Sequence, residues 1–253
     1  MKLGVAIMSA YLKGPRPDRR AWAEHTRDLL GDYCVHLETR PAPLRATSRR
    51  CWQALVDQPD LTHGIVMQDD IILCEDFGAE ATRAMAVHPD DVFAPWYTRS
   101  IDKLPHGMPG FVKTVGGLWA PAMGAPLNLV REYLRWERAY VLPSYPWDDI
   151  VWQMFLVFTK RWAWAALPSL IDHPPPNSER AFLKGSLGHA VPYDTTAFKS
   201  DPSPIEWEAQ RHNFFVDRTI SFGGPAHDEI MRLVGIFGRP EEWSAAKLGL
   251  SGS

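Results

Sequence analysis

Residues 64–77 read GIVMQDDIILCEDF. The stretch opens Gly64-Ile65-Val66-Met67, a short apolar run of the kind that forms a buried strand. It then breaks into adjacent carboxylates, Asp69 and Asp70. Apolar residues resume at Ile71-Ile72-Leu73, and Glu75-Asp76-Phe77 reads as the start of a helix from about residue 75 to 87. Two acids at the end of a buried strand are costly unless something pairs them. A hard divalent cation does so, because Mg²⁺ or Mn²⁺ takes carboxylate oxygens and leaves positions for phosphate oxygens. The plainer alternative is an Asp pair that caps the next turn. A DD pair alone is common, so its weight rests on the rest of the chain.

Working outward, residues 3–8 (LGVAIM) form a near-continuous apolar run, as in a strand covered on both faces. Residues 21–30 read as a helix with Trp22, His25 or Thr26, Leu29 and Leu30 on one side. Residues 33–37 read as a second strand. Thr47 or Ser48 is the expected cap of a helix running to Val56, on which Arg45, Arg49 and Gln53 fall at helical spacing. Residues 92–94 are a further short apolar segment. Strand and helix therefore alternate through the first hundred residues, which predicts an α/β fold with a largely parallel sheet. Ligands of such sheets bind beyond the carboxyl ends of the strands. Ser9, Tyr11, Asp69 and Asp70 all fall at such ends.

Beyond residue 95 the pattern is less regular. Residues 111–119 (FVKTVGGLW) read as a strand entering a Gly-Gly loop, and residues 126–138 as a helix with Leu127, Val130, Tyr133 and Leu134 inward. The run IVWQMFLVF follows Asp148-Asp149. It is apolar all round, and a buried helix capped by Asp148 or Asp149 is the preferred reading. Residues 161–167 (RWAWAAL) fit a strand that ends in PSLIDH at residues 168–173. Residues 207–215 and 227–236 have helical spacing.

The 253 residues suffice for one large domain or a domain with an appendage. Net charge is −3, so there is no basic excess of the sort that marks a nucleic-acid binder, although Arg45, Arg49 and Arg50 make one candidate basic patch. Eleven Trp residues offer either core or stacking surfaces; those at 147 and 207 sit where they could stack on bases or sugars. Cys34, Cys51 and Cys74 have no metal-ligand spacing, and an odd count points to a reducing compartment. No run reaches the length of a membrane span, and the N-terminal apolar run is too short for a secretory signal. The expected location is cytoplasmic, the host cytoplasm if the gene belongs to a phage.

Three polar groups follow apolar segments: Asp69-Asp70, Asp148-Asp149 and Asp172-His173. Each has a bland reading: a turn cap, a helix cap and a loop histidine. Asn177 and Ser178 fit turn residues after a Pro run. Together they supply a carboxylate and an imidazole for a metal, and a carboxylate to deprotonate a hydroxyl.

Three segments carry a resemblance: SRRCWQ at residues 48–53, VMQDDIILC at 66–74, and PSLIDH at 168–173 followed by Asn177-Ser178. With them the chain resembles the GT-A-fold glycosyltransferases that use nucleotide-diphosphate sugars, in particular small bacterial and bacteriophage members. The resemblance covers residues 1–185 and implies a GT-A (Rossmann-like) fold, a mostly parallel central sheet flanked by helices. Residues 186–253 would be a C-terminal extension, acceptor-side and packed on the same domain. Gln68-Asp69-Asp70 matches the DxD motif, with Gln68 standing where a stricter motif has its first Asp. The match implies Asp70 and His173 as ligands of Mn²⁺ or Mg²⁺, and Asp149 or Asp148 as catalytic base if the enzyme inverts configuration; in a retaining enzyme the same carboxylate has another role. It implies Ser9, Tyr11, Ser48, Arg49, Gln68, Asp69, Gly117, Asn177 and Ser178 as contacts of the donor or acceptor; Gly117 with Gly116 forms the acceptor-side glycine loop.

The implied function is metal-dependent transfer of a sugar from a UDP-sugar or another nucleotide sugar to a hydroxyl. Acceptors left open are a hydroxymethylated base in phage DNA, a saccharide or a protein. Two other classes compete: a metal-dependent phosphoesterase or nucleotide hydrolase using Asp69, Asp70 and His173, and a non-catalytic domain that binds nucleotide or nucleic acid. Oligomeric state has no signature in the sequence.

Overall fold

The computed structural model describes residues 1–9, 17–96, 109–114, 121–172, 199, 201–212, 214–217 and 227–238. Strand β1 (Leu3–Met8) leads to helix α1 (Pro17–Leu30), a 3-10 turn (Gly31–Tyr33) and β2 (Cys34–Glu38). Helix α2 (Leu44–Val56) follows, then β3 (His63–Gln68), β4 (Ile72–Leu73), α3 (Phe77–Val87) and β5 (Val92–Ala94). Next come β6 (Gly110–Thr114), β7 (Ala122–Pro126), α4 (Leu127–Tyr140), α5 (Asp148–Thr159), β8 (Ala163–Leu167) and β9 (Ile171–Asp172). A 3-10 turn (Trp207–Gln210), β10 (Phe214–Asp217) and α6 (His227–Phe237) complete the described elements.

Eight strands form one sheet in the order β10-β6-β8-β5-β7-β3-β1-β2. β1, β2, β3, β5 and β8 run one way; β7, β6 and β10 run against them. The fold is therefore α/β, with a mostly parallel sheet flanked by helices. The alternation of side chains along each strand sorts the core into two layers. Met8, Val66 and Met123 face α2, α4 and α5 through Trp52, Tyr133, Trp152 and Phe155, and α6 adds Ile230 and Leu233 to that layer. Ile7, Ile65 and Met67 face the other layer, with Ala23 of α1, Phe77, Ala81 and Ala84 of α3, and Trp207. Fully burying aromatic side chains such as Trp152 and Phe155 is worth roughly 1.5–3 kcal/mol each.

Several local expectations need correction. The buried face of α1 is Ala23, Thr26 and Leu30, while Trp22 and Leu29 are exposed. Helix α2 begins at Leu44 with Pro43 at the cap position, because proline's fixed φ suits a helix entrance. Thr47, expected as a cap, lies a full turn inside and returns its hydroxyl to the Pro43 carbonyl at 3.3 Å. Helix α5 is capped by Trp147 without a side-chain hydrogen bond, so Asp148 and Asp149 are in its first turn. Residues 207–215 are not helical: the 3-10 turn is followed by β10, which pairs in parallel with β6.

Strand β7 lies outside the sequence reading altogether. Its sequence AMGAP has small residues, no β-branched side chain and a terminal proline. It runs antiparallel between β3 and β5, and Gly124 makes this fit: a Cβ there would stand 2.9 Å from Ile65 Cγ1 and 3.1 Å from Met85 Cε.

Candidate active site

β1 and β3 end side by side, in register from Leu3↔His63 to Met8↔Gln68. The next step along this ladder brings Ser9 to Asp69. The Ser9 hydroxyl donates to Asp69 Oδ2 at 2.8 Å, and both residues are fully buried. The Ser9 backbone N–H donates to the Glu38 carbonyl at the end of β2. Gln68 closes β3, its N–H donating to the Pro121 carbonyl at 2.7 Å. Asp70 follows, also buried. The expected gathering of Ser9, Asp69 and Asp70 on the carboxyl edge of the sheet is what the structure has.

The QDDIIL and PSLIDH segments, about a hundred residues apart in sequence, are hydrogen-bonded to each other. β4 and β9 form an antiparallel ladder with Ile72 opposite Asp172 and Leu73 opposite Ile171. The Cys74 N–H extends it by donating to the Leu170 carbonyl at 2.9 Å, and the Leu170 N–H donates to the Pro95 carbonyl at 2.7 Å. Asp172 thus stands across from a residue two positions beyond Asp70.

On the α2/α5 face, a cleft opens beside the same edge. Its apolar wall is Met8, Val66 and Met123 from the sheet with Trp52 and Trp152 from the helices; its polar groups are Ser48, Asp148 and Asp149. Helical geometry explains the set: Ser48 and Trp52 are one turn apart on α2, as are Asp148 and Trp152 on α5. Asp148 is buried and Asp149 half-buried, with Asp149 Oδ1 accepting the Ile150 N–H at 2.9 Å. Both lie where the helix dipole stabilises negative charge. Trp152 stacks on Tyr133 with ring centroids 3.7 Å apart, and its buried indole N–H has no hydrogen-bond partner among the described residues. Trp52 lies within the SRRCWQ segment but was given no role, and Trp152 was not singled out; their spacing from Ser48 and Asp148 is the signal that could have placed both at the site.

The candidate basic patch is neutralised. Arg45 and Arg49 both bind Glu137 of α4, with closest approaches of 2.5 and 3.0 Å. Arg50 binds Glu38 at 2.9 Å, and Arg40 joins the same carboxylate at 2.6 Å. This holds the Glu38 carboxyl down at about 2, chiefly through the Arg40 hydrogen bonds. Trp207 is not a stacking surface either: it is buried, and its indole N–H donates to Glu80 Oε2 at 2.7 Å. The assignments to Tyr11, Gly116, Gly117, His173, Asn177 and Ser178 fall outside the described residues.

Among the described residues no three His, Cys, Asp or Glu side chains converge as a metal site, and no helix is long and apolar enough to cross a membrane.

No protein-family model and no curated protein sequence matches the chain. The solved structures to which the chain is similar include two of viral context. One is the crystal structure of A197 from STIV, at 15% identity and TM-score 0.40, covering 65% of this chain and 81% of that one. The other is a glycosyltransferase involved in glycosylation of the major capsid of PBCV-1, at 12% identity and TM-score 0.33, covering 61% of this chain and 74% of that one. At these values the likeness carries no argument about chemistry, which rests on the residues.

Proposed function

We propose that the protein is a metal-dependent glycosyltransferase that moves a sugar from a nucleoside-diphosphate donor, a UDP-sugar in the first instance, to a hydroxyl acceptor. The observation that carries this reading is the β4–β9 ladder. It joins the two segments that the metal-and-diphosphate reading requires to act together. Asp70 and His173 would hold the ion. Two protein ligands suit Mg²⁺ or Mn²⁺, which is commonly bound by one or two side chains plus substrate phosphates. When bound, the ion supplies charge stabilisation to the departing diphosphate.

The chain's own groups do the rest. Ser9 orients Asp69 at the strand end, where the donor's ribose or sugar is bound. Asp149 or Asp148, in the lining of the cleft, accepts the proton of the acceptor hydroxyl as its oxygen attacks the anomeric carbon. The apolar wall keeps water from competing for that position. The cleft presents carboxylates and apolar side chains, and the arginines of α2 already serve Glu137 and Glu38. Such a surface favours an uncharged hydroxyl-bearing acceptor, a saccharide, over a phosphate backbone.

The test is thermal unfolding of wild type and Asp70→Asn with nucleoside diphosphates and nucleotide sugars, with and without Mn²⁺. A ligand at about 100 times its Kd adds roughly 2.7 kcal/mol. A Mn²⁺-dependent rise with one nucleotide, lost in the variant, is expected. Labelled donor is then offered to saccharides and to hydroxymethylated DNA. Stabilisation by no nucleotide refutes the reading. Donor consumption that releases free sugar or phosphate and labels no acceptor replaces it with a hydrolase.

A further inference from the structure

The seven residues between α4 and α5 (residues 141–147) deliver Asp148 and Asp149 to the cleft, and they are gripped from both sides by buried charge. From α2, Arg45 donates Nη1 to the Leu142 carbonyl at 2.6 Å and to the Tyr145 carbonyl at 2.8 Å, while its Nε binds Glu137. From α6, Glu229 Oε1 accepts the Leu142 N–H at 2.9 Å. Arg232, paired with Glu229 at 2.8 Å, donates to the Tyr140 carbonyl. The N–H and C=O of one residue, Leu142, are thus held by opposite ends of the chain.

Arg45, Glu137 and Glu229 are 4%, 1% and 4% exposed. Ion pairs this deep repay little of their desolvation, and their best use is to fix a geometry. The loop's other restraints are the burial of Val141 and Tyr145, the packing of Trp147 on the core, and two backbone bonds, Val141 N–H to the Glu137 carbonyl and Tyr145 N–H to the Leu142 carbonyl; Leu142, Pro143, Ser144 and Pro146 are exposed. We propose that Arg45 and Glu229 are positioning residues that set the place of the α5 carboxylates, so that α6, from the last part of the chain, is a working part of the active site. This rests on the reading of Asp148 and Asp149 as the proton acceptors. A displacement of about 1 Å in such a group costs on the order of a hundredfold in rate.

The experiment uses the full chain with the donor and acceptor found above, and compares Glu229→Ala, Glu229→Gln and Arg45→Lys. Glu229→Ala removes the acceptor for the Leu142 N–H; glutamine keeps an amide oxygen there. Expected is a fall in kcat of about 10- to 100-fold for Glu229→Ala with unchanged donor KM, largely restored in Glu229→Gln. Hydrogen exchange should quicken at residues 141–150 while β1 and β3 stay protected. Arg45→Lys, which cannot span Glu137 and both carbonyls, should behave like the alanine variant and serves if that variant fails to fold. A folded Glu229→Ala or Arg45→Lys protein with wild-type kcat, or with a raised KM and unchanged kcat, overturns the proposal. A wild type that transfers to no acceptor fails the functional reading instead, and the exchange measurement still decides whether the grip holds the loop.

Discussion

Ser9 and Asp69 sit on neighbouring strands, sixty residues apart in sequence, and share a 2.8 Å hydrogen bond in full burial. Removing the donor from a buried acceptor costs about 1–3 kcal/mol. Ser9→Ala should therefore lower unfolding stability by about 2 kcal/mol in denaturant titration, with m unchanged. Ser9→Thr keeps a hydroxyl and should lose less. If alanine costs nothing, the pair holds neither Asp69 nor the edge.

Glu38 makes a second prediction, on pH. Its carboxyl is held at about 2 against an ordinary 4.5, with Arg40 the main cause and Arg50 a further one. A depressed folded-state value means that the stabilisation is complete above about 4.5 and is lost as pH falls towards 2. Arg40 is largely exposed and screened, so the contribution is on the order of 1–3 kcal/mol. Glu80 and Glu229 are lowered too, so stability as a whole falls over acidic pH. Glu38→Gln should be less stable at pH 7 and show a shallower loss below pH 4.5. Parallel pH curves for the two proteins would show that Glu38 gains nothing from its arginines.

These two sites differ in how far they could be read in advance. Ser9, Asp69 and Asp70 were legible because LGVAIM and GIVMQ are apolar runs that stop at polar residues, and parallel strands bring their ends to one edge. Helix α5 was legible from its length and its leading aspartates. Strand β7 was not, because its small residues carry no propensity and a neighbouring backbone, not a pattern, dictates Gly124. The arginines looked like a patch because Glu137 is some ninety residues away in sequence. The β4–β9 ladder is two residues long on each side, too short for any period to show.

The cysteines give a third prediction. Burial pushes the Cys74 thiol up to about 12, and raises Cys51 and Cys34 as well. Thiolate is the reactive form. At pH 8 a thiol reagent should modify half-buried Cys34 first, and slowly, while Cys51 and Cys74 react only in denaturant. Mass spectrometry of labelled peptides reads this directly; rapid labelling of Cys51 in the native protein would contradict the packing of α2 on β1.

The last prediction concerns Glu80, which ties α3 to the chain near residue 200. Its buried carboxylate accepts the Trp207 indole N–H at 2.7 Å and the Ile205 N–H at 3.2 Å, and faces Arg83 at 3.0 Å and Lys199 at 3.4 Å. Lys199 is buried as deeply as Glu80. Removing the anion leaves a buried ammonium and two buried donors behind, a change that costs about 3–5 kcal/mol. Glu80→Ala should therefore unfold at markedly lower denaturant. Glu80→Gln keeps acceptor capacity for one donor and should fall between the two. Double substitution Glu80→Met with Lys199→Met removes both buried charges together and should recover part of the loss, since an apolar pair of similar size replaces an ion pair with little penalty. If the double variant is no more stable than Glu80→Ala, the Trp207 and Ile205 hydrogen bonds, not the buried charge, are what hold this segment to α3.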